Sequence, residues 1–169
     1  MQEKIKDRAG RLVELLAKRG LTLSLAESCT GGGIAGGITD IPGASAVLAG
    51  GVVAYTPEAK VALLGLSPAD LPPGCVGAKL TAAMARQVQA LLRTDLALAV
   101  TGALGPQSPS PQVQVGEVYF ALVGLAQSQG LKFNFAGDRE TIKEAAILAG
   151  LDCLLRFIKE VVSCPVFPG

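Results

Sequence analysis

The chain has 169 residues, half of them hydrophobic and 17% charged, enough to bury a sizeable core without disulfide or metal staples. Its 15 Lys+Arg against 14 Asp+Glu leave a formal charge of +1, and its aromatics are two Tyr and five Phe, so neither a basic field nor a base-stacking platform points to nucleic acid. Histidine is absent, which excludes a Ser-His-Asp triad, a Cys-His pair and any imidazole metal site.

Gln2 to Arg19 carries Ile5, Ala9, Leu12, Leu15 and Leu16 at helical spacing, and Gly20 stops the helix. Leu21 to Ala26 predicts a first strand, followed by Ser28-Cys29-Thr30 and three glycines, with a helix over Thr30 to Asp40. Ile41-Pro42-Gly43 is a turn, and Val47 to Tyr55 reads as an apolar strand within a covered sheet. Thr56-Pro57 opens a short helix to Leu64, with Thr56 as N-cap. After a Pro/Gly connection over 67–77, Ala78 to Arg93 predicts a helix with Leu80, Met84, Val88 and Leu91 on one side.

Leu96 to Val100 is a further buried strand ending in Thr101-Gly102, and 103–115 is a Pro/Gln/Ser-rich loop expected to be mobile. Gly116 to Leu125 and Leu131 to Ala136 predict a hairpin turning through Gln127 to Gly130. Gly137-Asp138-Arg139 leads into a long helix reaching about Val162, and the tail carries Pro165 and Pro168. Strands alternating with helices, then a hairpin, give an α/β class: a three-layer α/β/α sandwich around a mixed, mostly parallel sheet of about five strands.

No apolar run reaches the roughly 18 residues that a membrane-spanning helix needs. The charged MQEKIKDRAGR start lacks the core of a signal peptide, so a cytoplasmic chain with no membrane partner is expected. Cys29, Cys75, Cys153 and Cys164 show no CxxC spacing and read as small buried hydrophobes in a reducing compartment.

Sheets of this kind bind ligands beyond the carboxyl ends of their parallel strands. Ser28 stands where a strand turns into a helix; it is either a nucleophile or an ordinary N-cap. Without histidine, Lys60 is a candidate base if burial lowers its pKa, and otherwise a solvated lysine. Tyr55 is a hydrogen-bond donor to the site or a rim tyrosine, and Cys29 an alternative nucleophile or a buried thiol. Glu27 either steadies Lys60 or a substrate hydroxyl, or forms a partly exposed salt bridge. Backbone N–H groups of Cys29, Thr30, Gly31 and Gly32 are candidate oxyanion donors. Thr101 and Gly102 either contact a ligand or end a strand, and Arg139 suits a phosphate grip or a cap of the last helix.

Five segments are then similar, in order and spacing, to blocks of the CinA (competence/damage-inducible protein A) carboxy-terminal domain: AESCTGGGIAGGITDIPGAS, GGVVAYTPEAKVALLG, LALAVTGALGP, VGEVYFALVG and AGDRE. The resemblance covers nearly the whole chain and implies one such domain over residues 1–169. It implies hydrolysis of nicotinamide mononucleotide to nicotinate mononucleotide and ammonia, in pyridine nucleotide salvage. The family's serine-lysine dyad maps onto Ser28 and Lys60, its tyrosine onto Tyr55, its Thr-Gly onto Thr101-Gly102 and its GDR arginine onto Arg139. No cofactor and no metal are implied; the partners are a small nucleotide substrate and further copies of the chain in a homo-oligomer. Two segments depart from the family: GPQSPSPQVQVGE replaces a glycine-rich loop and its lysine, and Gly74-Cys75-Val76-Gly77 lacks the usual serine. The alternative is therefore a catalytically impaired nucleotide-binding or sensing module, with a damage-response partner protein as a third reading.

Overall fold

The computed structural model describes residues 1–163; Cys164, Pro165 and Pro168 lie outside it. Helices α1 (Gln2–Arg19), α2 (Gly33–Thr39), α3 (Pro57–Leu64), α4 (Ala78–Leu92) and α5 (Arg139–Ser163) surround strands β1 (Leu23–Glu27), β2 (Leu48–Val53), β3 (Leu96–Gly102), β4 (Glu117–Gly124) and β5 (Gln127–Asn134). The strands form one mixed sheet in the order β2-β1-β3-β4-β5. β2, β1 and β3 are parallel, whereas β3, β4 and β5 run antiparallel.

Side-chain size sorts the two faces. Leu25, Leu96, Leu98, Val100, Phe120 and Leu122 face the layer of α1, α2 and α5. Ala26, Ala97, Ala99 and Ala121 face α4 and meet Leu80, Met84 and Val88. Alternation along each strand thus gives a bulky face and a small one, and the alanines let α4 lie close to the sheet. This is the three-layer α/β/α arrangement expected from the sequence.

Four expectations are corrected. α2 begins at Gly33 rather than Thr30, because Gly31 (φ 61°) and Gly32 (φ 89°) hold a left-handed turn after β1. β2 is an edge strand, not a covered one, with alternate residues exposed; its apolar character comes from small residues. The hairpin turns at Leu125-Ala126, both with positive φ, so polar residues 127–130 belong to the edge strand β5. Neither turn residue carries the Asn-Gly signature of such turns. Leu91 is exposed, whereas Leu92 packs near Gly50.

The 103–115 loop is also packed rather than loose. Ala103, Leu104 and Val113 are buried, the Ser108 hydroxyl lies between the carbonyls of Ser110 and Val113 with its one proton to share, and Gly116 N–H donates to Ala103 O. Gly74 lies against Pro109, at 3.1 Å from where a Gly74 Cβ would stand. The two loops thereby build one wall.

Candidate functional site

The carboxyl ends of β1, β2 and β3 share one rim. Because β5 runs antiparallel to β4, its own carboxyl end returns to that rim and delivers α5 there. The rim encloses a cavity of about 230 Å³ whose lining includes Ser28, Cys29, Tyr55, Lys60, Gly102 and Arg139.

Lys60 lies at the fourth position of α3, a helix capped by Thr56, whose hydroxyl accepts from Ala59 N–H. That places its chain under the rim, where the residue is 1% exposed. Its Nζ lies 2.8 Å from Ala54 O, 3.3 Å from Tyr55 O and 3.1 Å from Ser28 Oγ. Among the described residues no carboxylate is within ion-pair distance of it. Burial lowers the Lys60 pKa from the usual lysine value, against a weaker opposing pull from the Cys75 and Cys29 thiols. A neutral amine has two N–H bonds and one lone pair. In that form, two N–H bonds directed at the carbonyls would leave the lone pair for the Ser28 hydroxyl proton, the arrangement a base requires.

Ser28 follows β1 directly, and its N–H donates to Val100 O at 3.1 Å, extending the β1–β3 ladder by one residue. Burial pushes the Cys29 thiol up to about 12, so this cysteine stays protonated and is a poor nucleophile beside Ser28. In the turn, Gly31 N–H is already committed to Ser28 O, while no backbone carbonyl among the described residues takes the N–H of Cys29 or Thr30.

Tyr55 and Arg139 stand at the mouth. The Arg139 guanidinium donates to Tyr55 Oη at 2.8 Å and to Gly105 O at 2.7 Å. Two of its five N–H groups are thus engaged, and three remain for an anion.

Five other candidates from the sequence do not line the cavity. Glu27 is 1% exposed, and neither Lys60 nor an exposed salt bridge holds it. Its carboxylate accepts from Thr30 Oγ1, Ile34 N–H and Ala35 N–H, which fixes both Glu27 and Thr30 at the start of α2. Gly31 and Gly32 supply the left-handed turn, beneath Lys143 and Val53 respectively. Thr101 is fully buried and pairs with Thr81 Oγ1 at 2.7 Å; Thr81 in turn donates to Gly77 O, tying β3 to the start of α4. Gly102 does line the cavity, and a Cβ there would meet Val118 Cγ2 at 2.8 Å.

The sequence flagged the two loops as departures without picking out the lining residues Cys75, Leu104, Gln107 and Pro109. The Gly74–Pro109 contact that brings them in has no local signature. No group of three or more His, Cys, Asp or Glu among the described residues is placed to share a metal ion, and no helix there is long and apolar enough to cross a membrane.

Comparison with known proteins returns one family. A family model of the CinA C-terminal domain matches residues 5–158. A CinA-like protein of Geotalea daltonii is 48% identical over 144 residues, which are 84% of this chain and 35% of that protein. A putative competence-damage inducible protein of Halothermothrix orenii is 41% identical over 148 residues, covering 86% of this chain and 36% of that protein. The chain therefore spans about a third of the length of these curated relatives. Of the solved structures, a competence/damage inducible protein from Agrobacterium tumefaciens is similar with TM-score 0.86 and 34% identity, covering 90% of this chain and 94% of that one. A CinA superfamily protein from Klebsiella pneumoniae reaches TM-score 0.88 at 27% identity, covering 92% and 98%.

Proposed function

We propose, from the premise that this chain belongs to the CinA C-terminal domain family, that it is an amidohydrolase converting nicotinamide mononucleotide to nicotinate mononucleotide and ammonia. The observation that carries the reading is the 3.1 Å contact between a buried, carboxylate-free Lys60 Nζ and Ser28 Oγ. Neutral Lys60 takes the Ser28 hydroxyl proton as Oγ bonds to the carboxamide carbon. The N–H group of Cys29, a residue that lines the cavity and whose amide no backbone carbonyl among the described residues takes, is assigned to the resulting oxyanion. The Lys60 ammonium returns its proton to the departing nitrogen, which leaves as ammonia. Water then attacks the Ser28 acyl ester, giving its proton to Lys60, and the acid is released as Ser28 regains its hydrogen.

The substrate's phosphate falls to the three free donors of Arg139 at the mouth, with Tyr55 orienting the guanidinium. No protein-bound metal or organic cofactor enters this scheme. The free thiols of Cys29, Cys75 and Cys153 suit a reducing, cytoplasmic setting. Self-association into a homo-oligomer belongs to the same reading, and light scattering across a wide concentration range tests it; a monomer throughout removes it.

The deciding experiment is ammonia release from nicotinamide mononucleotide by the wild type, Ser28→Ala and Lys60→Ala, with no metal added. Turnover by the wild type that both substitutions abolish supports the dyad. Turnover surviving in Ser28→Ala rejects the covalent route. A folded wild type that nicotinamide mononucleotide stabilises against heat without ammonia release is a binding module instead.

A further inference from the structure

We infer that Glu27 is the positioning residue for the Ser28 nucleophile, its buried carboxylate bridging the two ends of the turn that carries Ser28. This rests on the role given to Ser28 above.

Glu27 is the last residue of β1 and is covalently joined to Ser28. A carboxylate at 1% exposure is costly unless its oxygens are filled. Here they accept from Thr30 Oγ1 at 2.6 Å, Ile34 N–H at 3.1 Å and Ala35 N–H at 2.8 Å. No lysine or arginine among the described residues forms an ion pair with it. The charge is balanced by hydrogen-bond donors alone, and each of them lies beyond Ser28 in the chain. Glu27 thus fastens the entry of the 28–32 turn to its exit. From the other side, Ser28 N–H is held by Val100 O on β3. The nucleophile's backbone is therefore fixed at two points, one on the sheet and one through Glu27.

Two chemical consequences follow. The Ile34 and Ala35 amides are occupied, so the start of α2 has no role in stabilising an oxyanion. The Glu27 charge also adds to burial in keeping the Cys29 thiol protonated, so the negative charge that Ser28 develops has no thiolate beside it.

The test compares Glu27→Gln, Glu27→Asp and Thr30→Val. Glutamine keeps the volume and removes the charge. Aspartate keeps the charge and shortens the reach, and valine removes one hydrogen bond only. In both Glu27 variants kcat for nicotinamide mononucleotide is expected to fall on the order of 10²-fold with KM nearly unchanged, as for a nucleophile displaced by about an ångström. Labelling of Ser28 by a fluorophosphonate should slow in the same ratio. Wild-type kcat in both variants, or a raised KM at constant kcat, overturns the inference; the second result would make Glu27 a substrate contact.

Should the Glu27 variants fail to fold, Thr30→Val decides, assayed well below its own Tm: a lowered kcat and slower labelling support the bridge, and wild-type rates reject it. A wild type that is labelled at Ser28 but leaves nicotinamide mononucleotide intact overturns the proposed substrate and leaves the labelling ratio as the test. A wild type that is neither labelled nor active removes both readings.

Discussion

Arg139 and Tyr55 lie 84 positions apart in the chain, and at the cavity mouth the guanidinium donates to the phenol oxygen at 2.8 Å. The same guanidinium grips Gly105 O at 2.7 Å, so one cation braces the edge of β2's exit against the 103–115 loop. Because Tyr55 is 55% exposed, the pair contributes little to stability; under the proposed function it holds three N–H groups ready for the substrate's phosphate.

Arg139→Ala is expected to raise KM for nicotinamide mononucleotide by roughly 10- to 100-fold, the loss of a charge-assisted pair of about 1.5–3 kcal/mol. The dephosphorylated nucleoside should be turned over equally by the variant and the wild type. Steady-state kinetics on both substrates checks this; an equal loss on both would detach Arg139 from the phosphate.

Lys60→Arg should abolish turnover, by about 10⁴-fold or more in kcat, since guanidinium does not deprotonate in this pH range. In the wild type, kcat/KM should rise with pH along a limb whose midpoint lies below the ordinary lysine value of 10.5, because burial lowers the Lys60 pKa. A limb at or above 10.5 would contradict a desolvated base.

The same shift has a stability sign. The folded Lys60 pKa is lower than the unfolded one, so between the two values the unfolded chain binds the extra proton. Below the folded value the buried ammonium lowers stability by its full desolvation cost. That cost is lifted as pH rises through the folded pKa and is gone by 10.5. Against Lys60→Met, the wild type should therefore gain stability over this alkaline window, as read by urea unfolding at several pH values. A difference independent of pH there would count against the shift.

Thr101→Val should cost about 1–3 kcal/mol by leaving the Thr81 hydroxyl and Gly77 amide short of a buried partner. The double variant Thr81→Val/Thr101→Val should lose less than the sum of the singles, because the two hydroxyls share one bond. Additive losses would show that the threonines act separately.

The layers, and the rim on which the site stands, were legible because they follow from periodicity. Strands alternating with helices, then a hairpin, write out the layers, and the Ser28, Tyr55 and Lys60 positions follow strand ends. What escaped was set by long-range contacts. Glu27 reads as a partner of Lys60 or a substrate hydroxyl, or as half of an exposed salt bridge, until α2 is seen to present Ile34 and Ala35 to it. Thr101 looks like a ligand contact until Thr81 is brought across from α4. Leu125-Ala126 turns a hairpin without the residues that usually mark one, since the strong β4–β5 pairing imposes the conformation on them. Cys75, Gln107 and Pro109 enter the cavity through the Gly74–Pro109 contact between two loops.

Arg139 opens α5, which lies along α1 with Arg8 Nε bonded to Asp152 at 2.7 Å. A ribosome makes β1, β2 and β3 well before this helix, and α5 docks only after it has been synthesised. Ser28 and Lys60 belong to segments completed early, whereas the guanidinium at the mouth arrives with the final helix described. The cavity is thus closed last during biosynthesis: the residue that braces Tyr55 against Gly105 arrives together with the helix that covers the bulky face of the sheet.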